Sequence, residues 1–367
     1  MWKPDDDPET NFVFVPDEID CDKNNEIESK TESSACPCLC SCGGGGTELR
    51  CTGGRFSIPS NASKTVRSFI YSNNKLPNNT LTFGALAAFQ HATLMILSSN
   101  SICVVESDAF DLCRNLTYLV LDNNQFVSSN VQPFLGPSAT SLEFLSLRSV
   151  VASHEESASL WRLFNLLLSK ETHHSSESER RFGNTFPSLR TLKLDGNFLT
   201  NINATNLKQA LRWSCLRYFS LSHNWLQSDS MEVVLTLLDG CEQRINVKNI
   251  SKNKSLAEIP LIEEASFSST DVDMTFNNIT GLEASFIKAL KDRYLGDQPV
   301  SPYEIQRKLT FKLKENNFIC NCSINETMCF LFKDKGKMII TDWKKLTCHQ
   351  PDKGRLPWIH LHLYSNL

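Results

Sequence analysis

The chain has 367 residues, 41% of them hydrophobic, with 37 basic against 41 acidic side chains and a formal net charge of −4. That length and apolar content suffice for a large core, while the near-neutral balance argues against a general binder of nucleic acid or membrane surfaces. No run approaches the roughly 18 apolar residues of a bilayer-spanning helix.

Residues 1–35 are acidic and poor in apolar side chains and read as a flexible tail. Their first stretch, MWKPDDDPETNF, has no apolar core of a secretory leader. Residues 36–60 follow as a cysteine-dense segment, CPCLCSC and then Cys51. Of the 14 cysteines in the chain, a second group, Cys320, Cys322, Cys329 and Cys348, stands near the other end. Between the two groups lies a repeat, and the open ends of a repeat array need caps. Small caps with little core are held by disulfides, which persist in oxidising compartments. A thiolate metal site is the alternative for CPCLCSC. Its spacing departs from the usual zinc pattern, and it leaves the second group unexplained.

From residue 61 to 315, asparagines recur at Asn74, Asn100, Asn124, Asn197, Asn224, Asn253, Asn277 and, just beyond, Asn316. The regular steps are 26, 24, 26 and 27 residues if Val150 is counted in the asparagine's place. Apolar residues sit at fixed offsets around each, as in LTYLVLDNNQF (116–126), LRTLKLDGNFL (189–199) and LRYFSLSHNWL (216–226). This is the leucine-rich repeat: a short strand with leucines alternating inward, a turn, and a return segment. A unit cannot bury its apolar face alone, so units stack into a solenoid, with the asparagine amides satisfying backbone groups inside. The predicted fold is therefore α/β, a curved horseshoe with a parallel concave sheet and about nine repeats. The unit at Asn253, with only Ile245 and Ile250 in place, is the weakest.

Two stretches break the period. Residues 153–186 form an insertion with an apolar helical segment, ASLWRLFNLLL, and a polar loop, KETHHSSESERR. Before Asn316 the step lengthens to 39 residues, with FIKALKDRYL (286–295) predicted as a convex-face helix. Residues 316–367 form the C-terminal cysteine segment. Cys215 and Cys241 stand 26 residues apart, one period, which places them on adjacent coils within bridging reach. Cys103 and Cys113 read equally well as buried thiols or as a bond.

The cysteine patterns resemble those of extracellular leucine-rich-repeat proteins. C-x3-C-x-C-x8-C at Cys36, Cys40, Cys42 and Cys51 is similar to their N-terminal cap. NNFICNC (316–322), with C-x-x-P-x-x-G from Cys348 to Gly354, is similar to their C-terminal cap. The resemblance covers roughly residues 36–360. It implies bridges Cys36–Cys42, Cys40–Cys51 and Cys320–Cys348. The family's fourth C-terminal cysteine is absent, so either Cys329 replaces it as partner of Cys322 or the cap is incomplete. Cys21 and Cys38 are extra. The chain resembles ectodomains of Toll-like receptors and leucine-rich-repeat adhesion receptors. That likeness implies recognition of a protein, glycan or microbial ligand at the cell surface, often as a homo- or heterodimer. A secreted matrix protein of the small leucine-rich proteoglycan kind is the alternative, and a cytosolic scaffold with reduced cysteines is a third. The caps conflict with the missing leader, and the expectation is a chain incomplete at its start. Membrane attachment is expected only through a segment outside this sequence.

Nine acceptor sequons, N-x-S/T, accompany the caps. Asn61, Asn78, Asn115, Asn203, Asn278 and Asn325 are the expected glycosylation sites. Asn249 would obstruct the ligand face, and Asn253 would be buried if it belongs to the ladder. Asn321 lies beside the cap cysteines.

The residues between inward leucines face the concave side, the usual ligand surface. One column reads Leu94, Tyr118, Phe144, Thr191 and Tyr218. Neighbouring columns carry Asp122, Arg148 and Asp195, then Arg190 and Arg217, then Lys193. Tyrosine and arginine are favoured interface anchors, so this patch is the expected binding site; strand preference for aromatics is the bland alternative. His223 beside it is a candidate pH-sensitive contact. Catalysis finds no support. G-x-S-x-G, H-E-x-x-H, P-loop and dinucleotide motifs are absent. The histidine pairs His173–His174 and His360–His362 read as surface residues, and no metal or cofactor is expected.

Overall fold

The computed structural model describes residues 36–37, 40–54, 57–60, 62–106, 109–126, 135–151, 153, 160, 186–202, 207, 216–238, 270–292, 309–320, 327, 329–331, 336, 339–350 and 354–357. Outside them lie the acidic tail, nearly all of the 153–186 insertion, Cys21, Cys38, Cys215, Cys241 and Cys322, the sequons at Asn61, Asn203, Asn249, Asn253, Asn321 and Asn325, and the two histidine pairs.

Strand β1 (Cys40–Gly43) forms a hairpin with β2 (Glu48–Thr52), and β3 (Ser68–Ser72) begins the repeats. There follow β4 (Thr80–Leu81), β5 (Leu94–Ile96), β6 (Val104–Val105), β7 (Tyr118–Val120), β8 (Phe144–Ser146), β9 (Thr191–Lys193), β10 (Tyr218–Ser220) and β11 (Thr270–Asp273). Helix α1 (Ala284–Leu290) precedes β12 (Leu309–Lys312), and β13 (Phe318–Ile319), β14 (Thr347–Gln350) and β15 (Gly354–Pro357) end the chain's described part. Ten strands make one sheet in the order β1-β2-β3-β5-β7-β8-β9-β10-β11-β12. Every neighbour in it runs parallel except the β1–β2 hairpin. The fold is a leucine-rich-repeat solenoid closed by disulfide-held caps.

The alternation expected of each strand is obeyed. In the first unit Val66, Phe69, Tyr71 and Leu76 are all buried, and the same offsets are buried around Asn124, Asn197 and Asn224. One continuous core results. The asparagines stitch it together. Asn100 donates from Nδ2 to the Tyr71 carbonyl at 2.7 Å, and its Oδ1 accepts the Asn74 N–H at 3.0 Å. Asn124, Asn197, Asn224, Asn277 and Asn316 repeat the arrangement towards the preceding coil. Each side chain satisfies a donor and an acceptor that burial would otherwise leave orphaned.

The residue before each ladder position has left-handed backbone: Asn73, Ser99, Asn123, Ser149, Gly196, His223, Phe276 and Glu315. That kink turns the chain from strand into core. At Gly196, φ +66°, a Cβ would stand 2.8 Å from the Ser149 hydroxyl, so glycine meets two demands there.

At the irregular gaps the flanking strands are direct neighbours in the sheet. β8 pairs directly with β9, and the Val150 N–H donates to Asn197 Oδ1 at 2.9 Å, so the 153–186 insertion leaves the sheet unbroken. β10 likewise pairs directly with β11, and the Leu226 N–H donates to Asn277 Oδ1. The unit read around Asn253 lies outside the described residues. The predicted 286–295 helix is seen as α1, starting two residues earlier, with Phe286, Ile287 and Leu290 buried.

Bridges join Cys36 to Cys42, Cys40 to Cys51, and Cys320 to Cys348. Those thiols are therefore unavailable as metal ligands. Cys329 is a free, exposed thiol, so the pairing with Cys322 is not made. In its helical turn Phe330 and Leu331 are buried while Cys329 is exposed. Cys103 and Cys113 are also free, and burial pushes the Cys113 thiol up to about 12. At the C-terminal cap, Asp342 takes the N–H groups of Leu313 and Lys314 at 2.9 and 2.7 Å. The carboxylate supplies the acceptors that a further coil would have provided.

Candidate functional site on the sheet face

The parallel pairing sets Leu94, Tyr118, Phe144, Thr191 and Tyr218 side by side in one row. Adjacent strands lie about 4.8 Å apart, which matches the thickness of stacked rings. Tyr118 and Phe144 stack, with centroids 3.9 Å apart and planes 11° from parallel. Lys193 lies two positions along the next strand, and its ammonium stands 5.4 Å from the Phe144 centroid. This is an aromatic pair with a cation over one face. Tyr218, two strands away, has its phenol pushed up to about 12 by burial, against a Ser220 hydrogen bond that works the other way.

The row carrying Asp122, Arg148 and Asp195 proves to be an internal network. Asp122 accepts the Ser146 hydroxyl at 2.6 Å and the Arg148 N–H at 2.9 Å from the next coil. Asp195 repeats this two coils further: it accepts the Ser220 hydroxyl, the Ser222 N–H at 2.8 Å and the Ser222 hydroxyl at 2.9 Å. Arg148 bridges the two, its Nε 3.4 Å from Asp195 Oδ2. The network spans the coil where Val150 interrupts the asparagine ladder. Burial raises the Asp122 carboxyl above its ordinary value, and the Ser146 and Arg148 contacts offset only part of the rise.

Arg217 is exposed at the edge of the patch and Arg190 is half-buried beside it. Their backbones are locked by the Arg217 N–H donating to the Arg190 carbonyl at 2.7 Å. The structure therefore brings Tyr118, Phe144, Lys193, Arg190, Arg217 and Tyr218 onto one face and assigns Asp122 and Asp195 to holding it.

His223 stands past this patch, in the left-handed turn at the rim. Its ring stacks on Phe276, centroids 4.2 Å apart, and Lys314 stands 5.9 Å above Phe276. Burial lowers its pKa, opposed by Asp195 and Asp273. One residue beyond the ladder, Trp225 packs edge-on against Phe198, centroids 6.2 Å apart at 77°. Trp225 is 54% and Phe276 43% exposed. Of these rim residues only His223 was a sequence candidate; Phe198, Trp225 and Phe276 lie outside the strand columns. The positions immediately flanking each ladder asparagine carry the signal.

Among solved structures the chain is similar to human 5T4 (Wnt-activated inhibitory factor 1, trophoblast glycoprotein), with TM-score 0.60 and 20% identity over 88% of this chain and 94% of that one. It also matches the mouse RP105/MD-1 complex, with TM-score 0.46 and 14% identity over 81% of this chain and 38% of that one. The likeness to 5T4 is one of fold. No protein-family sequence model matches the chain, and no characterised protein matches it by sequence.

Proposed function

We propose that the chain is a non-enzymatic, extracellular recognition module, the ligand-binding part of a receptor that feeds signalling or adhesion. The observation that carries this is the stacked Tyr118–Phe144 pair with Lys193 over it, set on a rigid parallel sheet. Preorganised aromatics flanked by cations lose little entropy on binding and suit a protein surface that presents an apolar side chain beside a carboxylate. The three disulfides support an oxidising compartment, and the name of the structurally similar 5T4 describes it as a glycoprotein. Among the described residues no helix is long and apolar enough to cross a membrane. Recovering the open reading frame beyond Leu367 tests attachment, since an apolar run of about 20 residues would supply an anchor.

The test of the site is a binding screen of the oligomerised chain against purified ectodomains, followed by affinity measurements on Y118A, F144A, R148A and Y218A. Truncating a central anchor is expected to cost about 2 kcal/mol, roughly 30-fold in Kd. Unchanged affinity in all four variants removes this face from consideration.

A further inference from the structure

We infer that Asn278 carries an N-linked glycan, and that this glycan lies against the exposed rim aromatic Trp225. The inference rests on the extracellular reading above. Asn278-Ile279-Thr280 is an acceptor sequon, and Asn278 and Thr280 are both exposed while Ile279 between them is buried. The backbone holding it is fixed: the Asn278 N–H donates to the Leu226 carbonyl at 2.9 Å and the Thr280 N–H to the Ser228 hydroxyl at 3.2 Å.

The side chain is oriented as well. Asn317, one coil on, donates from Nδ2 to Asn278 Oδ1 at 2.8 Å. That bond occupies the amide oxygen and leaves Nδ2, the atom that receives sugar, without a hydrogen-bond partner among the described residues. A glycan on Nδ2 preserves the Asn317 contact, because the amide oxygen is unchanged. In the transfer, Nδ2 forms a bond to C1 of the reducing-end sugar of a lipid-diphosphate-linked oligosaccharide. The C1–O bond to phosphate breaks, the lipid diphosphate leaves with the bonding electrons, and the amide nitrogen gives up one proton to a base of the transferase.

The placement beside Trp225 follows from register. The Trp225 N–H donates to the Leu199 carbonyl at 2.7 Å, the same bond that Asn278 makes to Leu226. Trp225 and Asn278 therefore occupy one position of successive coils, about 4.8 Å apart along the sheet. Phe198 props the indole from the coil before. The indole is 54% exposed, and the apolar C–H face of a first sugar tethered one coil away suits stacking on it.

The experiment uses the full chain secreted behind a heterologous leader from mammalian cells. Glycopeptide mass spectrometry reads occupancy at Asn278, Asn78 and Asn115, and hydroxyl-radical footprinting reads oxidation of Trp225. Occupied Asn278 is expected, with Trp225 oxidation rising about twofold in N278Q and T280A, as one covered ring face of two becomes free. T280S keeps the sequon and is expected to keep the protection, which separates loss of glycan from damage to the coil. Unmodified Asn278 beside glycosylated Asn78 or Asn115 overturns the proposal and leaves the extracellular reading intact. Occupied Asn278 with equal Trp225 oxidation in all variants overturns the contact. Reduced Cys36, Cys40, Cys42, Cys51, Cys320 and Cys348 in protein from the native source would sink the extracellular reading itself, and the proposal with it.

Discussion

Arg148 reaches one coil along the sheet to Asp195, Nε to Oδ2 3.4 Å, while the other oxygen of Asp195 gathers three donors from the coil beyond. The pair joins three coils, but its members are not equivalent. The Arg148 side chain is 36% exposed and that of Asp195 10%. Removing Arg148 costs a half-solvated ion pair, about 1 kcal/mol or less. Removing Asp195 strands donors that burial has cut off from water, about 2–3 kcal/mol. Urea unfolding of R148A and D195A checks the order. A larger loss in R148A would show that the network is held by charge rather than by hydrogen bonds.

Asn197 spans the break in the ladder. It accepts the Val150 and Val151 N–H groups and donates to the Leu147 and Leu194 carbonyls. N197A is expected to cost about 3 kcal/mol and to speed hydrogen exchange at the Val150 and Val151 amides. Unchanged protection at those two amides would mean another acceptor replaces it.

Asp122 gives stability a definite pH dependence. Its folded carboxyl sits above the ordinary 3.8, chiefly through burial. A raised folded value favours the protonated form, so the contribution is full below the unfolded value and lost as pH rises through the folded one. In D122N the amide oxygen still accepts from Ser146 and Arg148. D122N should match the wild type below pH 3.8 and exceed it in Tm near neutrality, the gap opening upward from that value. A variant less stable near neutrality, with the gap closing on acidification, would show that the charge is favourable.

The caps differ in what their bridges contribute. Cys320–Cys348 spans 28 residues and Cys36–Cys42 spans 6. Chain entropy puts their stabilisation at about 3.5 and about 2 kcal/mol. Paired alanine substitutions compared by thermal unfolding test the ordering, and equal losses would point to effects within the folded caps.

Arg217, exposed at the edge of the patch, is expected to act on encounter more than on residence. R217A should lower the association rate of a captured partner several-fold at low salt and leave dissociation nearly unchanged. A loss confined to dissociation would place Arg217 in the buried centre of the contact.

The scaffold was legible because two independent periodicities coincide. Leucines at alternate positions and an asparagine at a fixed offset admit only one register, as Phe69, Tyr71 and Asn74 show. The in-register aromatic row was readable for the same reason. Its energetics were not. Asp122, Arg148 and Asp195 looked like free ligand contacts, yet their partners Ser146, Ser220 and Ser222 lie a full coil away. His223 was assigned to the sheet face, but a left-handed backbone turns it to the rim against Phe276.

Sequence by itself determined the repeat, its register and the two capping groups, because inward packing and amide pairing are set by spacing within one coil. Tertiary structure alone decided that β8 joins β9 and β10 joins β11 directly, and that Cys329 is exposed. It also decided which polar side chains hold the sheet and which stay available on it. Those outcomes depend on what the neighbouring coil presents, as when Val150 meets Asn197 across 47 residues.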